Sequence, residues 1–374
     1  MKDYFNHKQQ TMLDLLIELV NLESPSHNKQ AVDKMSRHIS ALFAERGAEI
    51  ERHPREEVGD IILGKWNSQA TGKPILILSH MDTVWELGTL ADRPLRLDDD
   101  GRMYGPGIVD MKGGIVIALS AIDGLIEQDT LPNRPIWYLA TSDEEIGSKH
   151  SRELIEELAK KSALVLVTEP PTADGSLKTW RKGTASYTLT ITGKSAHAGN
   201  EPEMGINAII EFAQQALELN QLNDLKYGTS VSVTVVNGGG ATNVIPDKVV
   251  ARLDVRALSV PAYEKVHQQL MERMPFMPGA QVEMVRNHHR PPMERDGEVF
   301  SKAQAIAKAA EITIREDGAG GGSDGNFTAA LGIPTLDGLG AEGGGLHALH
   351  EHVLINSLPR KAALMAVLMR DWDA

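Results

Sequence analysis

Four short runs, 60–66, 74–79, 135–140 and 163–167, are apolar almost without a break, and this feature narrows the fold more than any other. A strand can be apolar on both faces only if both are covered, the condition of a largely parallel sheet lying between helices. Covering helices are at hand: 12–20 and 31–43 carry apolar residues at three- and four-residue spacing, and 113–128 reads as a helix between apolar runs. The alternation predicts an α/β layer fold.

From 187 the pattern changes. A strand (187–192), a helix (202–219), two strands (230–237 and 249–258), a helix (262–274) and a strand (281–286) follow in the β-α-β-β-α-β order of a ferredoxin-like unit. Past Pro291 and Pro292, a helix at 299–311, a Gly-rich loop and a closing helix at 359–372 return to the α/β style. Residues 182–289 therefore read as an α+β domain inserted into a domain built from 1–181 and 290–374. With 374 residues, 41% of them hydrophobic, the chain has material for two cores.

Charge and cysteine usage narrow the chemistry. The 38 Lys and Arg against 51 Asp and Glu give a net charge of −13, which repels phosphate backbones and anionic lipid, so neither nucleic acid nor a membrane is expected as a partner. Charges and amides interrupt the N-terminal stretch MKDYFNHKQQTMLDLL, and no long apolar run follows, so a cytoplasmic protein is expected. With no Cys there is no disulfide and no thiolate, and any metal must be held by His, Asp and Glu.

Such residues gather at strand ends. ILILSHMD supplies His80 and Asp82, IWYLATSDEE supplies Glu144 and Glu145, and ALVLVTEP supplies Glu169, all at the sheet edge where α/β folds bind ligands. YGPGIVDMKGG places Asp110 just ahead of a helix, facing the same crevice. So many carboxylates in one crevice would repel, and one or two divalent cations relieve that most simply. A further ligand is expected from GGGLHALHEHV, where His347, His350 and His352 compete and spacing does not choose among them.

The segment GAGGGSDGN matches two other patterns through glycine density. Gly320, Gly322 and Gly325 fit G-x-G-x-x-G, but too little chain follows for a dinucleotide domain. Gly321, Ser323 and Gly325 fit G-x-S-x-G, with Asp337 and His347 downstream, so a serine hydrolase at Ser323 is the rival reading. It leaves the clustered acids unexplained.

The motifs SHMDTVW, GPGIVDMKGG, TSDEEIGS, VTEP, GKSAHAGNEPEMGINAI, TNVIPDKVVARLDVRA, GGGSDGN and GGLHALHEHV run in order over nearly the whole chain. Together they resemble the dizinc amidohydrolase family of acetylornithine deacetylase, succinyl-diaminopimelate desuccinylase and carboxypeptidase G. The resemblance implies a zinc-exopeptidase-like catalytic domain, a mixed sheet flanked by helices, with an inserted lid and dimerisation domain. It implies two Zn2+ per subunit bridged by Asp110, with Glu145 and His347 completing one site and His80 and Glu169 the other. His350 stays open as an alternative to His347. Asp82 would orient His80, and Glu144 would be the general base. In the inserted domain the resemblance implies substrate contacts from His197, supplied to the partner subunit of a homodimer, and from Asn243, Arg256 and Arg290. Arg290, before Pro291, matches the carboxypeptidase G branch, where an Arg binds the substrate's α-carboxylate, a task that suits a guanidinium fork. The expected activity is hydrolysis of an amide beside a free carboxylate in a small peptide, releasing a C-terminal amino acid. Deacylation of an N-acyl amino acid is the alternative.

Overall fold

A computed structural model of the protein describes residues 1–372. The chain divides into two compact units: Met1–Trp180 with Arg295–Ala319 and the chain from Ser323 form the first, and Arg181–Glu294 with Gly320–Gly322 form the second.

The first unit is built on a mixed six-stranded sheet in the order Glu49–His53, Ile61–Trp66, Ile136–Thr141, Ile75–His80, Leu164–Val167 and Thr335–Leu336. The last four run parallel, and the first two add an antiparallel edge. Every residue of Ile75–His80 and Leu164–Val167 is buried, as double coverage requires. One face is covered by Gly113–Glu127, apolar nearly all round, and by Ser357–Asp371, and both helices are buried along most of their length. Ile155, Leu158 and Phe327 pack with the opposite face, brought there by the helices Arg152–Lys161 and Gly325–Ala330.

A second small sheet of the first unit pairs Arg96–Leu97, Arg102–Tyr104, His352–Leu354 and Gly343–Gly344. Its two- and three-residue strands carry no periodicity and were not expected. They nonetheless brace both arms of the loop that carries His347.

The second unit is a four-stranded antiparallel sheet, ordered Ser230–Gly238, Lys248–Ala257, Gly183–Thr192, Gln281–Arg290, with helices Ala208–Asn220 and Val260–Met271. Tyr187, Leu189, Ile191, Leu253, Tyr263 and Leu270 form its core. The first of these helices begins at Ala208 and not at 202, because the Asn207 side chain caps it by accepting the N–H groups of Ile209 and Ile210 (3.0 and 3.3 Å). Among the described residues no helix is long and apolar enough to cross a membrane.

Candidate metal centre and active site

Parallel strands deliver the site. His80 is the last residue of its strand, Glu144 and Glu145 follow Thr141 in the turn beyond the neighbouring strand, and Glu169 stands two residues past Val167. Asp110 enters from the turn ahead of the Gly113–Glu127 helix, and His347 from the loop between Gly343–Gly344 and His352–Leu354.

These side chains form two groups that share one residue. His80, Asp110 and Glu169 offer ligand atoms within 4.8 Å of one another, and so do Asp110, Glu145 and His347. The two oxygens of Asp110 face opposite ways: Oδ1 lies 3.1 Å from His80 Nε2, and Oδ2 lies 3.3 Å from His347 Nε2. His80 Nε2 is also 3.6 Å from Glu169 Oε1, and His347 Nε2 is 3.2 Å from Glu145 Oε2. His347 belongs to this arrangement, whereas His350 and His352 stand outside both groups. His352 instead packs against Tyr104.

Electrostatics mark the site as built for more positive charge than its side chains carry. Burial alone would raise Asp110, but hydrogen bonds from His347 and His80 outweigh it and hold its carboxyl far below the usual range. Glu145 is pushed up to about 7, chiefly by burial, which its bond to His347 only partly offsets. Bonds to Asp110 and Glu145 raise His347 to about 10. For His80, burial opposes the charged ring, and Asp110, Asp82 and Glu169 overcome that and raise it well above its ordinary value. The acids around both rings favour positive charge there, the demand that a bound cation would meet. Glu145 Oε1 is buried with no hydrogen-bond partner, an acceptor without a donor. Two imidazoles, three carboxylates and one orphaned oxygen fit a pair of divalent cations, and zinc in particular takes such a nitrogen and oxygen set.

The surrounding bonds orient these groups. His80 Nδ1 lies 2.9 Å from the carbonyl oxygen of Asp82 and 3.5 Å from its carboxylate, so its proton goes to the backbone and Nε2 is left facing Asp110. Asp82 therefore orients His80 through its carbonyl oxygen, with its carboxylate close behind. Its fully buried carboxylate accepts the Ser26 hydroxyl (2.7 Å) and the N–H groups of Glu144 and Glu145 (both 3.2 Å), joining the His80 loop to the turn that carries both glutamates. Glu144 is buried beside the site yet outside both ligand groups. Asp143 turns away and accepts the His150 N–H at 2.7 Å. Ser323 is fully buried and its hydroxyl donates to Asp337 (2.7 Å), an acid where the rival reading needs a histidine base.

In the second unit, Arg256 and Arg290 are both paired in register with Thr184, one from each flanking strand. Side chains at matched register share a sheet face, so two guanidinium groups flank Thr184, with strands about 4.8 Å apart. Asp254 grips Arg256 through two bonds of 2.8 Å, and Arg256 also donates to Gly320 O (3.4 Å). Arg181, buried, donates to Gly321 O and Gly322 O (3.1 and 3.4 Å). Nothing in the sequence singles out this third arginine, since a lone cation ending a strand carries no signal of its own. His197 lies exposed on a two-residue strand paired with Val244–Ile245, and the Ala198 N–H donates to Asn243 O (2.9 Å), so the structure brings His197 and Asn243 together. His197 Nδ1 accepts the N–H groups of Gly199 and Asn200 (3.1 and 3.0 Å), which places the neutral ring's proton on Nε2 as an outward donor.

A mixed α/β sheet whose strand ends and adjoining loops bring together two His and carboxylate groups sharing one aspartate is the frame of a metal-dependent enzyme. Comparison with known proteins narrows the class: the model of peptidase family M20/M25/M40 matches residues 76–371, and the chain belongs to that family. Carboxypeptidase G2 of Pseudomonas sp. is 33% identical over 98% of this chain and 90% of its own length. A succinyl-diaminopimelate desuccinylase of Nitrosospira multiformis is 28% identical over 86% of this chain and 89% of its own. Among solved structures, the aminopeptidase PepT of Bacillus cereus shares the fold with a TM-score of 0.76 at 24% identity, covering 97% of this chain and 98% of that one.

Proposed function

We propose that the protein is a two-zinc exopeptidase that hydrolyses an amide beside a free carboxylate and releases a C-terminal amino acid, glutamate in the first instance. The observation that carries this reading is Asp110, common to both ligand groups with one oxygen turned to each. Asp110 would bridge the two ions, with His80 and Glu169 holding one and Glu145 and His347 the other. Bound ions supply Lewis-acid polarisation of the amide carbonyl and ease deprotonation of the attacking water. Glu144 takes that water's proton as the water oxygen adds to the carbonyl carbon, then delivers it to the leaving nitrogen as the C–N bond breaks, giving a carboxylic acid and an amine that part as carboxylate and ammonium. Asp82 keeps Glu144 and Glu145 in place through their N–H groups. Arg290 is assigned to the substrate's α-carboxylate and Arg256 and Asn243 to further substrate contacts, and the likeness to carboxypeptidase G2 supports this choice.

The likeness to succinyl-diaminopimelate desuccinylases favours a second reading, deacylation of an N-acyl amino acid by the same residues. The two differ in which side of the amide is large. The inserted unit is assigned to homodimerisation. Its edge strand Ser230–Gly238 exposes Val235 and Val236, and its Ala208–Asn220 helix exposes Ile210 and Leu217 one heptad apart. His197 would then donate its Nε2 proton to the developing oxyanion in the partner's site. A cytoplasmic location accompanies this reading.

Metal content and glutamate release from an N-acyl-glutamate, measured before and after chelation and with zinc restored, test the proposal. Two metals per chain and release that stops on chelation and returns with zinc are expected. Bound metal without glutamate release shifts the assignment to the deacylase, and activity that survives chelation overturns the metal mechanism.

A further inference from the structure

We propose that Glu351 is a positioning residue of the metal centre: its carboxylate sets the turn that carries Asp110 and ties it to the segments that carry His80 and His347. The inference rests on the two-metal reading above. Glu351 is fully buried, four residues beyond His347, in a site already crowded with acids. Its Oε1 accepts the N–H groups of Val109 (3.0 Å) and Asp110 (3.3 Å), and its Oε2 accepts those of Gly107 (2.9 Å) and the Trp85 indole (2.6 Å). A carboxylate has about four acceptor positions, and these four donors use them. Glu351 therefore has no oxygen left to serve as a ligand, and its charge is spent on holding backbone.

Each of those bonds lands on a ligand-bearing segment. Trp85 lies three residues past Asp82 on the chain leaving His80, and Gly107 to Asp110 are the turn itself. On its own segment, the Glu351 N–H donates to Ala348 O (3.0 Å), closing the loop that presents His347. The Glu351 carbonyl also accepts the Gly105 N–H (3.3 Å), so main chain and side chain grip the Asp110 turn from one place. The geometry explains why the grip matters. Asp110 presents one oxygen to each group, so its Cα–Cβ direction must hold to within a small angle, and the bond to its own N–H fixes the peptide plane that sets that direction. Gly107, at φ 67°, permits the turn, and a Cβ there would lie 2.5 Å from Thr83 Cγ2.

Glu351→Gln puts an NH2 group against two N–H donors in place of an acceptor oxygen. Zinc affinity is read by competition with a chromophoric chelator, together with kcat, KM and Tm, on the full-length protein. The expected result is zinc affinity weaker by about 10- to 100-fold, as for other residues that orient metal ligands, and a fall in kcat with KM little changed. A merely structural residue would lower Tm and leave the zinc affinity of the folded protein unchanged, and that result overturns the proposal. Should Glu351→Gln not fold, Trp85→Phe removes one donor and leaves the Asp110 bond. A smaller loss of zinc affinity supports the proposal, and wild-type affinity overturns it. A wild-type protein that takes up no divalent metal is a distinct failure, which overturns the two-metal reading and this inference with it.

Discussion

Glu144 and Glu145 are neighbours in the chain with their N–H groups on the same carboxylate, yet only Glu145 enters a ligand group. That division makes a paired test possible. Glu144→Gln keeps shape and removes the base, so turnover should fall by about 10²- to 10⁴-fold with metal content at the wild-type level, whereas Asp110→Asn should lose both metal and activity. Initial rates and elemental analysis of the two variants decide it, and a Glu144→Gln protein stripped of metal would reverse the roles. At this scale His80, Glu144, Glu145 and Glu169 were legible because each follows a run too apolar to lie at a surface, and Asp110 because a Gly-rich turn sets it just ahead of a helix. Arg181 and Ser26 were not, since nothing local separates a buried arginine or a bonded serine from an exposed one.

Helices and strands obey their own sequence up to the point where they touch. Gly113 and Gly114 open the buried helix Gly113–Glu127, and by intrinsic propensity Ala would serve better there by about 1 kcal/mol. The packing reverses that preference. A Cβ on Gly114 would lie 2.1 Å from the carbonyl oxygen of Thr168, the residue before Glu169, so the helix would have to back away from the strand end. Gly114→Ala should therefore destabilise by about 1–3 kcal/mol in denaturant unfolding, and a variant as stable as wild type would show the contact to be slack. The same limit explains which elements were readable. Runs such as Ile75–His80 announce themselves through burial on both faces, while Arg102–Tyr104 and His352–Leu354 exist only because they pair, Tyr104 opposite His352.

At the scale of the whole molecule, the proposed dimer has one subunit complete another. The His197 ring, held by two backbone N–H groups with Nε2 turned outward and exposed, is prepared to donate to something beyond its own loop. Under the proposed dimer, His197→Ala and Glu144→Gln are each inactive alone, and mixing them under conditions of subunit exchange should restore part of the activity through sites that combine the intact halves. No recovery after verified exchange would confine His197 to its own subunit or to no role.

The α/β class, the β-α-β-β-α-β order of the second unit and the collection of His, Asp and Glu at strand ends were already determined by the sequence, because continuous apolar runs, helical spacing and the residues that follow them are properties of neighbours along the chain. The tertiary structure alone decided that Asp110 splits its two oxygens between two groups, that His347 and not His350 joins one of them, that Arg256 and Arg290 flank Thr184, and that Glu351 closes on the Asp110 turn. The physical reason is range. These outcomes depend on strand register and on hydrogen bonds between residues up to hundreds of positions apart, such as Trp85 and Glu351, and no local pattern encodes which distant partners meet.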